Sequence, residues 1–437
     1  MFKFYAKILV LIVLSCAFSF AQNVNSNQEA LQANLNPKDL YPTVYPDRII
    51  LNLTSTPTNS IGINWRTDIT QLTGTVQYAK ASHGTQFLKQ IDSVSASVEN
   101  LVVTYLNEPN VYANYHSAEL KNLSPGEEYV YRVGSGKYWS EWFQFSVPGV
   151  KQKVSFLYFG DAQNDVKNHW SRLLRNAYRI EPNIDFMVHG GDLINRNNHD
   201  IEWGEWFKAG GFIHSTVPSI MTPGNHEYGK GTGLSPQWRA QFNLPKNGPK
   251  GLEETSFEVN YPDLKMVTID AKMVDDHKEF EESTVSWLEN ILTKNPRKWT
   301  VVVVHYPLFS TKANRDNENL RKVFKPIFEK YKVDLVLQGH DHGYGRGTIE
   351  SGSTKHVTSY VVSNAGPKMY EVGDNKDWMT RKAGNTQLFQ LISIEGDVLN
   401  YKAVTAKGEL YDAFALKKAK NGANKIEERV PNTPELR

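Results

Sequence analysis

Five apolar runs in the second half of the chain each lead into a residue able to bind a metal, and this pattern constrains the fold more than any other feature. The runs are VSFLYFGD, ending at Asp161; IDFMVHGGD, ending at Asp192; VPSIMTPGNHEY, carrying Asn225 and His226; WTVVVVHYPLF, carrying His305; and VDLVLQGHDHGYG, carrying His340 and His342. Each is short and nearly continuous in its hydrophobicity, as strands buried on both faces are. Helical spacings lie between several of them. Trp170, Leu173, Leu174, Ala177 and Tyr178 mark one face, and Val285, Leu288, Ile291 and Leu292 another. NLRKVFKPIFEKY repeats the pattern, with Pro326 predicting a kink or a second helix start. Strand–helix alternation predicts an α/β core.

Ligands in open α/β sheets bind beyond the carboxyl ends of the strands, so the five strand ends should converge. Gly160, Gly190, Gly191, Gly224, Gly339 and Gly343 flank them and suit sharp turns and close backbone approach. In GHDHG an extended backbone would put His340 and His342 on one face. The gathered set is two Asp, one Asn and three His. Such donors suit zinc, iron, manganese or cobalt rather than calcium. They exceed the needs of one tetrahedral ion, and one carboxylate can bridge two ions, the usual apparatus for attack at phosphorus.

Cys16 is the only cysteine of the 437 residues, which excludes a disulfide framework and a zinc–thiolate site. A formal charge of +2 gives no electrostatic case for nucleic acid as the main ligand. MFKFYAKILVLIVLSCAFSFAQ, with Ser19 and Ala21 before a cut at Gln22, reads as a signal peptide over 1–21, so the protein is expected to be secreted or periplasmic. The alternative is a lipobox in VLSC, with Cys16 lipidated. No later segment is apolar enough to span a membrane. Residues 22–40 read as a flexible lead-in, and 419–437 as a polar, disordered tail.

Residues 41–149 alternate in short strands, as in SIGINWRTD with Ile61, Ile63 and Trp65 on one face, and predict a small β-sandwich. LSPGEEY, from Leu123 to Tyr129, resembles the tyrosine corner of fibronectin type III and immunoglobulin-like sandwiches. Residues 150–418 form the remaining domain.

GDAQ, GGD, GNHE, VVVHYP and GHDHGYGR resemble, in order, the sequence blocks of the calcineurin-like metallophosphoesterases. With the sandwich ahead of them they look like the two-domain layout of purple acid phosphatases. The resemblance implies a fibronectin III-like sandwich followed by a catalytic domain with a β-sandwich core flanked by helices. It implies two metal ions, from Fe, Zn or Mn. Asp161 and His342 would bind the first, Asn225, His305 and His340 the second, and Asp192 both. His226 would stabilise the transition state or protonate the leaving oxygen, and a hydroxide on the metals would be the nucleophile. The implied reaction is hydrolysis of phosphate monoesters on a phosphorylated small molecule. The alternatives are a phosphodiesterase or nucleotide hydrolase of the same fold, and a binding protein with a retired site.

Two departures from that family stand out. Purple acid phosphatases carry a Tyr three residues after the bridging Asp, the source of their colour when bound to ferric iron; here that residue is Asn195. Related branches carry a His two residues after the first Asp, and here it is Gln163. Either amide could ligate a metal or only hydrogen-bond the ligands. The segment STKANRDNENLR lacks the plant enzymes' substrate His pair. Asn314 and Arg315 fall near that place, Arg315 reading either as a phosphate contact or as a solvated charge. Tyr344 and Arg346 read as wall residues, with substrate contact the alternative. Glu227 is expected to orient a ligating His. His169, His189, His199 and His214 lack ligand spacing and read as surface or structural.

Overall fold

The computed structural model describes residues 40–104, 111–149, 153–373 and 377–436. The expected signal peptide, Cys16 and nearly all of the lead-in lie outside them. Among the described residues no helix is long and apolar enough to cross a membrane.

The N-terminal domain is a β-sandwich. One layer contains β1 (Asp47–Leu53), β2 (Ile61–Asp68), β5 (Ser97–Val103) and β6 (Val111–Leu120); the other contains β3 (Thr75–Lys80), β4 (Asp92–Ser95), β7 (Glu128–Ser135), β8 (Tyr138–Trp139) and β9 (Phe143–Ser146). Alternation explains the packing: Ile61, Ile63 and Trp65 point inward with Tyr131, Val133 and Phe145. Tyr129 forms the corner that LSPGEEY suggested, its hydroxyl accepting the Ser124 N–H at 3.0 Å.

The C-terminal domain supplies β10 (Val154–Phe159), β11 (Phe186–His189), β12 (Ser219–Met221), β13 (Phe257–Asn260), β14 (Leu264–Ile269), β15 (Trp299–Val304), β16 (Leu335–Gln338), β17 (Tyr344–Ser351), β18 (His356–Val362), β19 (Arg381–Ala383), β20 (Leu388–Glu395), β21 (Val398–Thr405), β22 (Leu410–Lys418) and β23 (Asn424–Glu428). Strands β10, β11 and β12 run parallel in one sheet, and β14, β15, β16 and β18 run parallel in a second. In β15, Val301 and Val303 join the core between the sheets, while Val302 and Val304 pack under the helices Lys278–Thr293 and Glu318–Lys330. Being covered on both faces is what makes these runs continuously apolar.

Three features depart from the sequence reading. The sandwich is not separate in its hydrogen bonding: β1 pairs in parallel with β12 at Asn52 and Ser219, so one 11-stranded sheet runs through both domains. A buried ion cluster seals this junction, with Asp200 accepting from Arg48 at 2.7 Å and from Arg66 at 3.0 Å. Removing Asp200 would leave two buried guanidiniums short of a partner, a change that costs about 3–5 kcal/mol.

The helix Glu318–Lys330 runs through Pro326 without a second start. Lys322, whose carbonyl loses its partner, lies with Pro326 on the exposed side, where water can replace the bond. The tail is ordered at least through β23, which pairs with β22. Its polar residues are internal partners. Asn424 Nδ2 donates to buried Asp334 at 2.6 Å, and Glu428 accepts from buried Arg346 at 2.8 Å.

Candidate metal centre

The ends of β10, β11 and β12 face the ends of β15 and β16, and the two sheets deliver their polar residues to one place. Asp161 and Asp192, both buried, arrive from the first sheet; His305, His340 and His342 arrive from the second. Two groups form within which the donor atoms lie no more than 4.8 Å apart: Asp192, His305 and His340, and Asp161, Asp192 and His342. Asp192 belongs to both. Asn225 joins the first group through its Oδ1, 3.3 Å from His305 Nε2.

Local backbone aims these side chains. Asp192, His340 and His342 all adopt positive φ, at 52°, 71° and 46°. Non-glycine residues enter that region at a cost of about 1–2 kcal/mol each. The two histidines therefore do not share a face by strand alternation. A left-handed turn sends His340 toward Asp192 and His342 toward Asp161. The glycines provide room: a Cβ on Gly224 would sit 2.2 Å from Asp192 Oδ1, and one on Gly339 2.6 Å from Asp161 Oδ1.

Hydrogen bonds fix each group. His305 Nδ1 donates to the Gly190 carbonyl at 2.8 Å, which turns Nε2 to within 3.2 Å of Asp192. His342 Nδ1 donates to the Lys368 carbonyl at 3.2 Å. Asp161 Oδ1 accepts the His340 N–H at 2.7 Å, while its Oδ2 is buried without a hydrogen bond. Asp192 accepts the His226 N–H at 2.9 Å.

The electrostatics call for cations. Burial pushes the Asp161 carboxyl up to about 7. Burial also opposes ionisation of Asp192, but His305, His226 and His340 outweigh it and hold that carboxyl below the ordinary range. His305 responds in kind: against burial, Asp192 and Asp161 push it up to about 10. Burial and the charge on His305 lower His340 to about 2. Two buried carboxyls and three imidazoles, whose donor atoms share the protons in this cluster, fit divalent or trivalent metal ions that would displace those protons.

Gln163 reaches the site. Its Nε2 donates to Asp192 Oδ2 at 2.7 Å, and its buried Oε1 has no hydrogen bond. Asn195 contributes main chain instead: its carbonyl accepts from His226 Nδ1 at 2.6 Å, and its N–H binds Glu202 at 2.7 Å. Glu227 does not touch a ligating ring. Its carboxylate takes the N–H groups of Asp192, Leu193, Ile194 and Gly224 at 2.7–3.3 Å, tying the Asp192 turn to the Asn225 turn.

Tyr344 and Arg346 are buried, Tyr344 donating to Asp412 at 2.6 Å and Arg346 bonded to Asp412 and Glu428, contacts that suit wall residues and not the alternative of substrate contact. Arg315 is not a free solvated charge but half-buried, its Nη1 2.5 Å from Asp341. Asn314 is exposed. His189 and His214 are buried among Trp170 and Trp206, and His169 is half-buried beside Asp165. His199 precedes the helix Asp200–Gly210.

Sequence reasoning missed Asp341. It is fully buried between His340 and His342 and accepts the Thr311 N–H at 2.6 Å as well as Arg315, so it anchors the 311–315 loop. The one available signal was that an acid inside a buried turn needs donors, which did not identify them.

Comparison with known proteins is consistent with this arrangement. Residues 46–147 match the purple acid phosphatase N-terminal domain, and residues 154–344 match the calcineurin-like phosphoesterases. Acid phosphatase type 7 of Mus musculus is 26% identical over 70% of this chain and 72% of its own length. Purple acid phosphatase 21 of Arabidopsis thaliana is 25% identical over 76% of this chain and 72% of its own. Some Arabidopsis thaliana relatives are named probable inactive purple acid phosphatases. Among solved structures, a purple acid phosphatase, PPD1, from yellow lupin (Lupinus luteus) seeds superimposes with a TM-score of 0.68 at 18% identity. It covers 86% of this chain and 75% of the lupin chain, a likeness of fold.

Proposed function

We propose that this chain, which belongs to the calcineurin-like phosphoesterases and carries the purple acid phosphatase N-terminal domain, hydrolyses phosphate monoesters with two metal ions. The observation that carries the reading is the sharing of Asp192 between two donor groups, which suits one carboxylate bridging two ions. Asp161, Asp192 and His342 would hold one ion, with Gln163 beside them. Asp192, Asn225, His305 and His340 would hold the other. Asp161 Oδ2 supports this assignment: it is buried without a hydrogen bond, which is costly, and lies 3.4 Å from His342 Nε2, the other donor assigned to that ion.

When bound, two ions supply Lewis acidity at the phosphoryl oxygens and make water acidic enough to attack phosphorus. The chain's own groups do the rest. Glu227 holds the Asp192 and Asn225 turns in register, so the donors need no rearrangement. The Asn195 carbonyl keeps the His226 Nδ1 proton in place, and Nε2 faces the site 4.0 Å from Asp192. There a proton on Nε2 can pass to the oxygen of the departing alcohol.

The leader reading of residues 1–21 places this activity outside the cytoplasm, and a mature N-terminus at Gln22 would support it. The reaction is tested by supplying metal-reconstituted protein with p-nitrophenyl phosphate and its bis-ester. Faster turnover of the monoester is expected. Faster turnover of the diester overturns the monoester assignment, and no turnover of either by protein holding two metals would move the chain to a binding role.

A further inference from the structure

The rim of the centre carries two cations that hydrolysis of a simple monoester leaves unused. Tyr370 stands edge-on to His342, their ring centroids 4.6 Å apart. Lys312 Nζ lies 4.4 Å from the centre of the Tyr370 ring and Lys368 Nζ lies 5.5 Å from it. Both lysines are half-buried, and among the described residues neither has an ion-pair partner. Each ammonium is attracted by the ring, while the two like charges repel each other.

Their backbone is tied to the site. The Lys312 N–H approaches Asp341 at 3.4 Å, and Lys312 bridges to Val372. Gly373 N–H donates to the Thr311 carbonyl at 2.8 Å and Tyr370 N–H to the His342 carbonyl at 3.1 Å. The Lys368 carbonyl accepts His342 Nδ1 and, at 2.9 Å, Asn364 Nδ2. These bonds hold the segments bearing both lysines against the candidate ligand His342, on its side away from Asp161.

We propose that Lys312, Tyr370 and Lys368 form a subsite for a second anionic group, so that the preferred substrates are phosphate esters whose leaving group carries a further phosphate or carboxylate. This rests on the reading of the adjacent centre as a phosphatase. A phosphoryl group held by the metal-binding side chains leaves the two ammoniums on the Tyr370 ring to a second anion on the same substrate, which would ease the repulsion between them.

The test is kcat/KM on three substrates for metal-reconstituted wild type, Lys312→Gln, Lys368→Gln and the double variant. p-Nitrophenyl phosphate carries no second anion, phosphoenolpyruvate carries a carboxylate, and ADP carries a second phosphate. The quantity read is the ratio of each substrate bearing a second anionic group to p-nitrophenyl phosphate. Each single change should lower that ratio by about tenfold, as loss of one charge-assisted contact does, and Lys312→Arg should hold it within about twofold. The larger fall identifies the second anion as phosphate or carboxylate. An unchanged ratio in the double variant, or a parallel fall on all three substrates, overturns the subsite. If wild type turns over none of them, the phosphatase reading fails, and calorimetric binding of pyrophosphate against orthophosphate decides the subsite. Selective loss of pyrophosphate binding in the double variant supports it; equal binding overturns it.

Discussion

Replacing Asp341 by Asn separates the role of the 311–315 loop from that of the metal ligands beside it. Asp341 Oδ1 accepts from Arg315 and Oδ2 from the Thr311 N–H. Asparagine keeps one acceptor and turns an amine toward the other donor, so one of these partners is lost. A hydrogen bond to a charged group contributes about 1.5–3 kcal/mol, and breaking a buried ion pair costs about 3–5 kcal/mol. The Arg315 side chain is 23% exposed and can recover some hydration, which brings the expected local loss to about 2–3 kcal/mol. At about 1.4 kcal/mol per factor of ten, the Thr311 and Lys312 amides should exchange with deuterium about 30- to 150-fold faster. The imidazoles of His340 and His342 do not bond to the Asp341 side chain, so metal content should stay at two per chain while kcat/KM for an ester bearing a second anionic group falls. Loss of metal with unchanged exchange over 311–315 would refute this reasoning and make Asp341 a support of its histidine neighbours.

Two other expectations follow from the same geometry. His226→Ala should retain both metals and lose about 10²- to 10⁴-fold in kcat, as removal of a general acid does; full rate in a metal-replete variant would remove His226 from the mechanism. Burial lowers His116 and His356 to about 4 and His214 to about 3 from 6.5, so each folds neutral while the unfolded chain takes up its proton. The stability these three provide is present above pH 6.5 and is lost as pH falls through their folded values, by up to about 3 kcal/mol each near pH 4. Urea midpoints measured from pH 7 to 4 should fall, and less steeply in a folded His356→Gln variant; an unchanged slope would contradict the assignment.

The sequence carried the chemistry better than the assembly. Five strands ending in Asp, Asn or His could be read because buried parallel strands must be apolar along their whole length, so their polar ends are conspicuous. The route of His340 and His342 into the site was misread, since a positive-φ turn leaves no mark in hydrophobic periodicity. Arg346, Asp412 and Glu428 were equally hidden: buried ion clusters join residues far apart in the chain, and each alone looks like a surface charge. The pairing of Asn52 with Ser219 joins main chains far apart in sequence, with the Asn52 amide donating to the Ser219 carbonyl at 3.1 Å, and hydrophobic periodicity encodes neither. The same holds for Asn195, whose carbonyl serves His226 while its side chain identity spoke only about the missing tyrosine.

The central claim is that Asp192 serves two ions, and metal stoichiometry in wild type and Asp192→Asn tests it most directly. Wild type dialysed against single metals should bind two per chain, with phosphatase activity lost on chelation and restored on re-addition. Asp192→Asn should lose occupancy at both sites together, while circular dichroism remains that of the folded chain. A folded Asp192→Asn protein that still holds two ions, or a wild type whose phosphatase activity survives complete metal removal, would contradict the account.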